Sequence, residues 1–442
     1  MIEDALGNAP AANTTPEIIV TYVGPSAAGA PTVIALATAT PDAAPTAETS
    51  TPPPPTALPV ASACPAPASP TPPARPALFS DIPAALTPYL SAGATPTATR
   101  DLLTAWGVIF GAPDGSVTLG GVYQGRFLPG ADLGTVVVIF DPDAQTPALR
   151  AGDVVVYTCA DGAVQLAYRA QDDPMFAGSV GYPRVLSSAD VTGDGVDELS
   201  FVAGECGAST CFDVVTILSF QAGGASNLIP DFAPHPFPAF AFAPAADSAA
   251  QDLIVRVGQY GSAGAGPQRN TVETWSWSGS VFTLTRVIVD PPLYRVHALH
   301  DADAAFRAGD FATAATLYQR VVSDPGLRAW DGLAPLRDED KVLGAFAQFR
   351  LVELAARQQD TAALAAAYDA LKQATPQGSP GELYGALGDA FYSAYTASGN
   401  YAQACDAAVK FAEKTANVYI LLGSQTFGYA NYDYLPADMC IR

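Results

Sequence analysis

From about residue 78 to 292, apolar and polar positions alternate in short runs broken by glycine. A period of two places successive side chains on opposite faces of a strand. On this reading TVVVIF, DVVVYTC, AVQLAYR, ELSFVAG, CFDVVTILSF, DLIVRVG, TVETWSWSG and VFTLTRVIV are strands, preceded by a short helix around ATRDLLTAWGVIF. Three stretches open alike: ADLGTVVVIF, DGVDELSFVAG and AAQDLIVRVG. Each has an acidic or turn residue, an apolar strand, a turn and a second strand. Their interval is roughly sixty residues, the scale of one four-stranded propeller blade. Three units are fewer than a closed propeller uses. The expectation is an antiparallel β domain, either a small sandwich or an incomplete propeller-like array.

After DPPLYRVHALHDAD the period becomes helical and alanine dominates. The first hairpin has a Gly309-Asp310 turn followed by Ala314, Tyr318 and Val321 at helical spacing. A second has Tyr368, Leu371 and Pro376, and a third turns at Gly399-Asn400-Tyr401 before Ala404. Small residues let paired helices approach, and the aromatic fills the gap between them. Residues 1–77 carry neither period. They are Ala, Thr and Pro, as in ATATPDAAPTAETSTPPPPTALP, with Arg75 the only basic residue before Arg100. Such a composition buries too little apolar surface to offset ordering entropy. It is expected to be a disordered, polyproline-like stalk. The chain therefore divides into a stalk at 1–77, a β domain at 78–292 and a helical domain at 293–442: β then α.

Charge narrows the function. The 442 residues include 43 Asp and Glu against 21 Lys and Arg, a net charge of −22. That surface repels phosphate backbones and anionic lipid, so nucleic acid is excluded as a partner, while divalent cations and basic protein patches remain. No run is long and apolar enough to span a bilayer. MIEDALGNAP lacks the basic and apolar regions of a signal peptide. Other features indicate export, so the expectation is that the natural start lies upstream or that the chain is processed. Thr/Pro richness suits an O-glycosylated surface stalk, and Asn13-Thr14-Thr15 fits an N-glycosylation sequon. Within the stalk, EIIVTYV or TVIAL could instead add as a strand to a neighbour's sheet.

The chemistry concentrates at Asp190-Val191-Thr192-Gly193-Asp194-Gly195-Val196-Asp197-Glu198. Oxygen-bearing side chains fall at loop positions 1, 3, 5 and 9: Asp190, Thr192, Asp194 and Glu198. Val196, at position 7, offers its backbone carbonyl, and Gly195 permits the sharp turn. Hard oxygen ligands at this spacing suit Ca²⁺. An empty Asp/Gly turn is the alternative. Asp197 is expected to be a solvated charge. The loop runs straight into ELSFVAG and has no glutamate at position 12, unlike an EF-hand. It resembles the calcium loop of FG-GAP and VCBS-type β repeats, with Thr192 and Glu198 departing from that pattern's commoner residues. That resemblance implies a structural Ca²⁺ site at Asp190, Thr192, Asp194, Val196 and Glu198. Gly309-Asp310-Phe311, Ala314, Tyr318, Gly399-Asn400-Tyr401 and Ala404 resemble tetratricopeptide repeats, although the spacing is uneven. This second resemblance implies a groove for a peptide or protein partner.

Six cysteines fit an oxidising compartment. Cys206 and Cys211 flank GAST between two strands and are expected to bridge that hairpin. Cys405 and Cys440 are expected to staple the C-terminal tail to the helices. Cys64 and Cys159 either pair or stay free. Catalytic motifs are missing: neither HExxH, GxSxG nor a P-loop occurs. His297 and His300, one helical turn apart, could share a metal, but such a pair more often marks a helix start. Trp275 and Trp277 read as sheet packing, and GSAGAGP as a hairpin loop. The functional expectation is a non-enzymatic protein, extracellular or on the cell surface, that binds or scaffolds protein partners. Its alternative is a subunit of an extracellular filament or surface layer with the N-terminal segment ordered on a neighbour. A glycan-active hydrolase is the competing enzyme class, and no acid–base carboxylate pair is identifiable for it.

Overall fold

The computed structural model describes residues 65–111, 118–129, 133–143, 151–160, 163–176, 180–221, 224–332 and 335–442. It has two compact units. The first takes the chain to Gly258 together with Asn270–Val289, and the second comprises Gln259–Arg269 and Asp290–Arg442. Antiparallel sheets are followed by helices, the expected β-then-α order. Most of the expected stalk lies outside the described residues. Its last part, from residue 65, includes a parallel bridge between Ala68 and Ala94, and the Ala68 N–H donates to Gly93 O at 2.8 Å.

The β unit begins with helices α1 (Ile82–Ser91) and α2 (Pro96–Ala105). Thr95 caps α2 by accepting from the Ala98 N–H, and Pro96 follows at the first helical position. The expected helix included GVIF. It stops instead at Gly107, whose φ of 72° leaves the helical region, and Val108 and Ile109 turn into the core.

After a two-stranded pair, Phe110–Gly111 with Thr118–Leu119, three larger sheets follow among the described residues, each built on four strands joined as a meander. Sheet I holds β1 (Gly121–Gly125), β2 (Gly134–Phe140), β3 (Ala151–Ala160) and β4 (Ala163–Arg169). Sheet II holds β5 (Arg184–Ala189), β6 (Glu198–Cys206), β7 (Cys211–Gln221) and β8 (Gly224–Asn227). Sheet III holds β9 (Ala239–Pro244), β10 (Gln251–Val257), β11 (Thr271–Trp277) and β12 (Phe282–Val289). The three stretches that open alike become β2, β6 and β10, the second strand of each sheet.

Apolar patterning explains how the sheets stack. On β2, Val136, Val138 and Phe140 meet Leu199, Phe201 and Ala203 of β6, while Val137 and Ile139 face α1 and α2. On β6 the opposite face presents Val202 to a cluster containing Leu253 and Val255 of β10 and Trp275 of β11. The layer order is therefore α1/α2, sheet I, sheet II, sheet III. Strands covered on both faces read as continuous apolar runs. On β10 the alternate residues Asp252, Ile254 and Arg256 are not in that cluster, and Arg256 is exposed. Trp275 packs on Phe232, and Trp277 on Phe282.

The helical unit has three hairpins: α3 (Arg295–Arg307) with α4 (Phe311–Ser323), α5 (Glu339–Arg357) with α6 (Thr361–Ala374), and α7 (Glu382–Ser398) with α8 (Tyr401–Lys414). At each turn a side chain caps the second helix. Asp310 accepts from Thr313 N, Asp360 from Ala362 N and Ala363 N, and Asn400 from Gln403 N. Ala314, Tyr318, Val321, Leu371 and Ala404 are buried in one core with Phe346, Phe349 and Phe391. GSAGAGP does lie between β10 and β11, but belongs to this unit. Gly264 O and Ala265 O accept from Tyr429 N and Ala430 N of the C-terminal segment.

Candidate metal centre and the covered helix face

The acidic loop joins β5 to β6. Gly193 and Gly195 have φ of +80° and +88°, a conformation that disfavours other residues. A Cβ on Gly193 would also lie 2.8 Å from the Ala249 backbone. The turn they allow gathers amides around Asp190. Its Oδ1 accepts from Gly193 N at 2.6 Å and Asp194 N at 3.2 Å, and its Oδ2 from Gly195 N at 2.8 Å. Asp194 Oδ1 accepts from Val196 N at 2.8 Å. Asp194 is exposed and Asp190 and Val196 are half-buried.

Thr192 and Glu198 face inward. Glu198 is 1% exposed, and its Oε2 accepts from Val191 N at 3.0 Å and Thr192 N at 3.2 Å. The Thr192 hydroxyl donates to Oε1 at 3.4 Å. Burial, with repulsion from Asp194 and Asp190, pushes the Glu198 carboxyl up to about 7. The five expected ligands thus divide. Asp190 and Asp194 are oriented by amides of their own turn, and the hard oxygens of their carboxylates have the chemistry that suits Ca²⁺. Glu198 and Thr192 hold the loop's start. The carboxylates of Asp190, Asp194 and Glu198 do not all lie within 4.8 Å of one another. Asp197 departs from its expected role as a solvated charge. Its Oδ2 accepts from Arg126 N at 2.6 Å and its own N–H donates to Arg126 O, which fastens the loop to the chain after β1.

The disulfides Cys206–Cys211 and Cys405–Cys440 are both present. The first joins directly opposed residues of β6 and β7. Cys159 is buried on β3, and Cys64 lies outside the described residues. Among the described residues, the group of ligating atoms close enough to hold a metal is Glu353, Cys405 and Cys440. Its sulfurs are bonded to each other, and Glu353 is taken up as described below.

His297 and His300 lie on α3 with ring centroids 6.4 Å apart. His297 Nε2 is 3.2 Å from both Pro267 O and Asn431 Oδ1, and His300 packs on Tyr432 and Tyr434. In the β unit, His235 Nε2 lies 3.2 Å from Glu273 Oε2, which also accepts from Trp275 Nε1 at 2.9 Å. Burial opposes ionisation of Glu273. The bonds from His235 and Trp275 outweigh it and hold this carboxyl below its ordinary range.

A charged cluster that the sequence did not reveal lies under the C-terminal tail. Asp303 of α3 and Arg350 and Glu353 of α5 are all fully buried. Arg350 donates to Asp303 at 3.0 Å and to Glu353 at 2.6 Å. Tyr318 and Tyr434 hydroxyls donate to Asp303, and the Tyr401 hydroxyl to Glu353. The remaining partners are tail backbone. Asp438 O accepts from Arg350, Ile441 N donates to Glu353, and Ile441 O accepts from Tyr401. Burial alone would lower the Arg350 pKa, but Asp303 and Glu353 outweigh it and hold the guanidinium above its usual range. For Glu353, burial wins and raises the carboxyl despite Arg350.

The chain's own last residues cover Asp303, Arg350 and Glu353, and the Cys405–Cys440 disulfide ties those residues to α8. Spacing could not disclose this, because Asp303 and Tyr434 are 131 residues apart. No protein-family model matches the chain, and the search of curated proteins returns no match.

Proposed function

We propose that this chain is an extracellular or cell-surface scaffold that binds protein partners, and that its β unit is braced by one structural Ca²⁺. The carrying observation is the loop before β6. Two aspartates are preset by amides from their own turn, and a third carboxylate, Glu198, is buried behind them with no cation among the described residues bonded to it. In the proposed complex Asp190, Asp194 and the Val196 carbonyl hold the ion, while Thr192 and Glu198 secure the loop's start. The ion supplies positive charge where a hairpin must turn through crowded carboxylates. Affinity in the range of about 10⁻⁴–10⁻³ M, typical of extracellular modules, would suffice. Disulfides in both units agree with an oxidising compartment. Among the described residues no helix is long and apolar enough to cross a membrane.

The compartment is tested by alkylating thiols in intact native cells before lysis, followed by peptide mass spectrometry. The proposal expects Cys206–Cys211 and Cys405–Cys440 to be recovered as linked peptides from the exterior fraction. Alkylated, unlinked cysteines in a cytosolic fraction would contradict it.

A further inference from the structure

The segment that enters the β unit at Pro65 packs closely beside the end of α1. Ala68 bridges Ala94, and its N–H donates to Gly93 O at 2.8 Å. Gly93 has φ of +87°, and a Cβ there would collide with Ala66 O, so glycine is what admits the segment. Pro65 and Pro67 line one cavity together with Gly93, Tyr157 and Cys159, the last two on β3.

The cysteines point to the same place. Cys159 is buried and disulfide-bonded. None of the described cysteines is free, and the other four are taken in Cys206–Cys211 and Cys405–Cys440. The sequence has one cysteine more, Cys64, which directly precedes Pro65. Cys64 lies outside the described residues, but its Cα is one peptide, about 3.8 Å, from that of Pro65, and Pro65 and Cys159 share a cavity.

We infer that Cys64 and Cys159 form a third disulfide, which anchors the Ala/Thr/Pro segment covalently to sheet I. The bond forms by exchange with a disulfide-bonded oxidant of the exterior compartment. One cysteine thiolate attacks a sulfur of the oxidant, and the second displaces the oxidant from the mixed disulfide. The oxidant leaves as a dithiol that carries the two electrons and two protons of the former thiols. The closed loop contains α1, α2, β1 and β2, and long loops lose the most freedom in the unfolded chain. A pull on the residues before Cys64 then reaches β3, an inner strand of sheet I, through covalent bonds. Without the bond it would first strip the contact between Ala68 and Gly93. This deepens the surface-scaffold reading by giving the expected stalk its attachment point. It rests on the oxidising compartment of that reading and not on calcium or a partner.

The test refolds the full chain in glutathione redox buffer, so that pairing is read apart from where the chain resides. Peptic digestion in acid, which suppresses thiolate exchange, is followed by mass spectrometry. A peptide containing Cys64 should be recovered linked to one containing Cys159, and reduction should separate them. In Cys64→Ser the Cys159 thiol should become alkylatable on denaturation. Residues 65–78 of that variant should exchange amide hydrogen about tenfold faster, while sheet II keeps its rates. The wild-type peptide map keeps the test valid should the variant misfold. A free thiol at either cysteine, or Cys159 linked to another cysteine or to a second copy, would overturn the inference. Unchanged exchange at residues 65–78 in Cys64→Ser would overturn the anchoring. Either failure, with Cys206–Cys211 and Cys405–Cys440 still recovered from the exterior fraction of native cells, would leave the scaffold reading intact.

Discussion

Arg350 is the side chain on which most of the helical unit's buried charge depends. It is the cation bonded to both Asp303 and Glu353, and it also holds Asp438 O of the tail. Removing one partner of a buried ionic group leaves the others uncompensated, typically by about 3–5 kcal/mol. Arg350→Met should therefore lose a large part of the chain's stability in urea unfolding, whereas Tyr434→Phe, which deletes one donor to Asp303, should lose about 1–3 kcal/mol. Unfolding midpoints equal to wild type for both would refute this reading of the cluster. His300 gives the unit a pH dependence of known sign. Burial and the nearby His297 hold it down to about 4, against an ordinary value of 6.5. It is neutral in the folded chain and charges in the unfolded chain below pH 6.5. Its contribution is complete above pH 6.5 and is lost as pH falls toward 4. His300→Phe should remove about 2 kcal/mol of the acid-side loss between pH 7 and 4.5, read as the difference between the two chains' urea profiles.

At the scale of elements, the hairpin turns were the most legible part of the sequence. Asp310, Asp360 and Asn400 each close the first turn of the second helix of a pair, and a cap of this kind contributes about 1 kcal/mol. Asp360→Ala, which deletes bonds to two amides, should destabilise by about that amount, with Asp310→Ala adding to it because the two turns share no partner. Strands fared unevenly for a physical reason. Inner strands such as β2 and β6 declare themselves through unbroken β-branched and aromatic runs. The edge or near-edge strands β1, β5, β8 and β9 are GVYQG, RVLSSA, GASN and AFAFAP. Gly, Ser and Ala make up half or more of β5, β8 and β9, so these short strands lack the run of large β-branched and aromatic residues that marks the inner ones. Helix α1 escaped notice because Pro88 interrupts its pattern. Pro88 has no N–H to give to the carbonyl one turn earlier, and the helix ends three residues beyond it.

On the scale of the whole molecule, the order β then α could be read from the change of period, and both described disulfides from cysteine placement. The tail's course could not. Its partners are 88 and 131 residues distant, and its recognition runs through backbone groups that carry no sequence signal. The acidic loop was legible as a cluster of oxygens. Its division into amide-held aspartates and an inward Glu198 depends on which amides the turn presents, and that is a property of the fold. The central claim is that a divalent ion completes this loop. Calorimetric melting of the full chain in chelator and in about 10 mM Ca²⁺ tests it most directly, beside the double variant Asp190→Ala with Asp194→Ala. At the affinity proposed, Ca²⁺ should contribute about 1–3 kcal/mol and raise the wild-type transition by several degrees. The double variant should melt at one temperature in both solutions. A wild-type melting temperature unchanged by calcium would contradict the account.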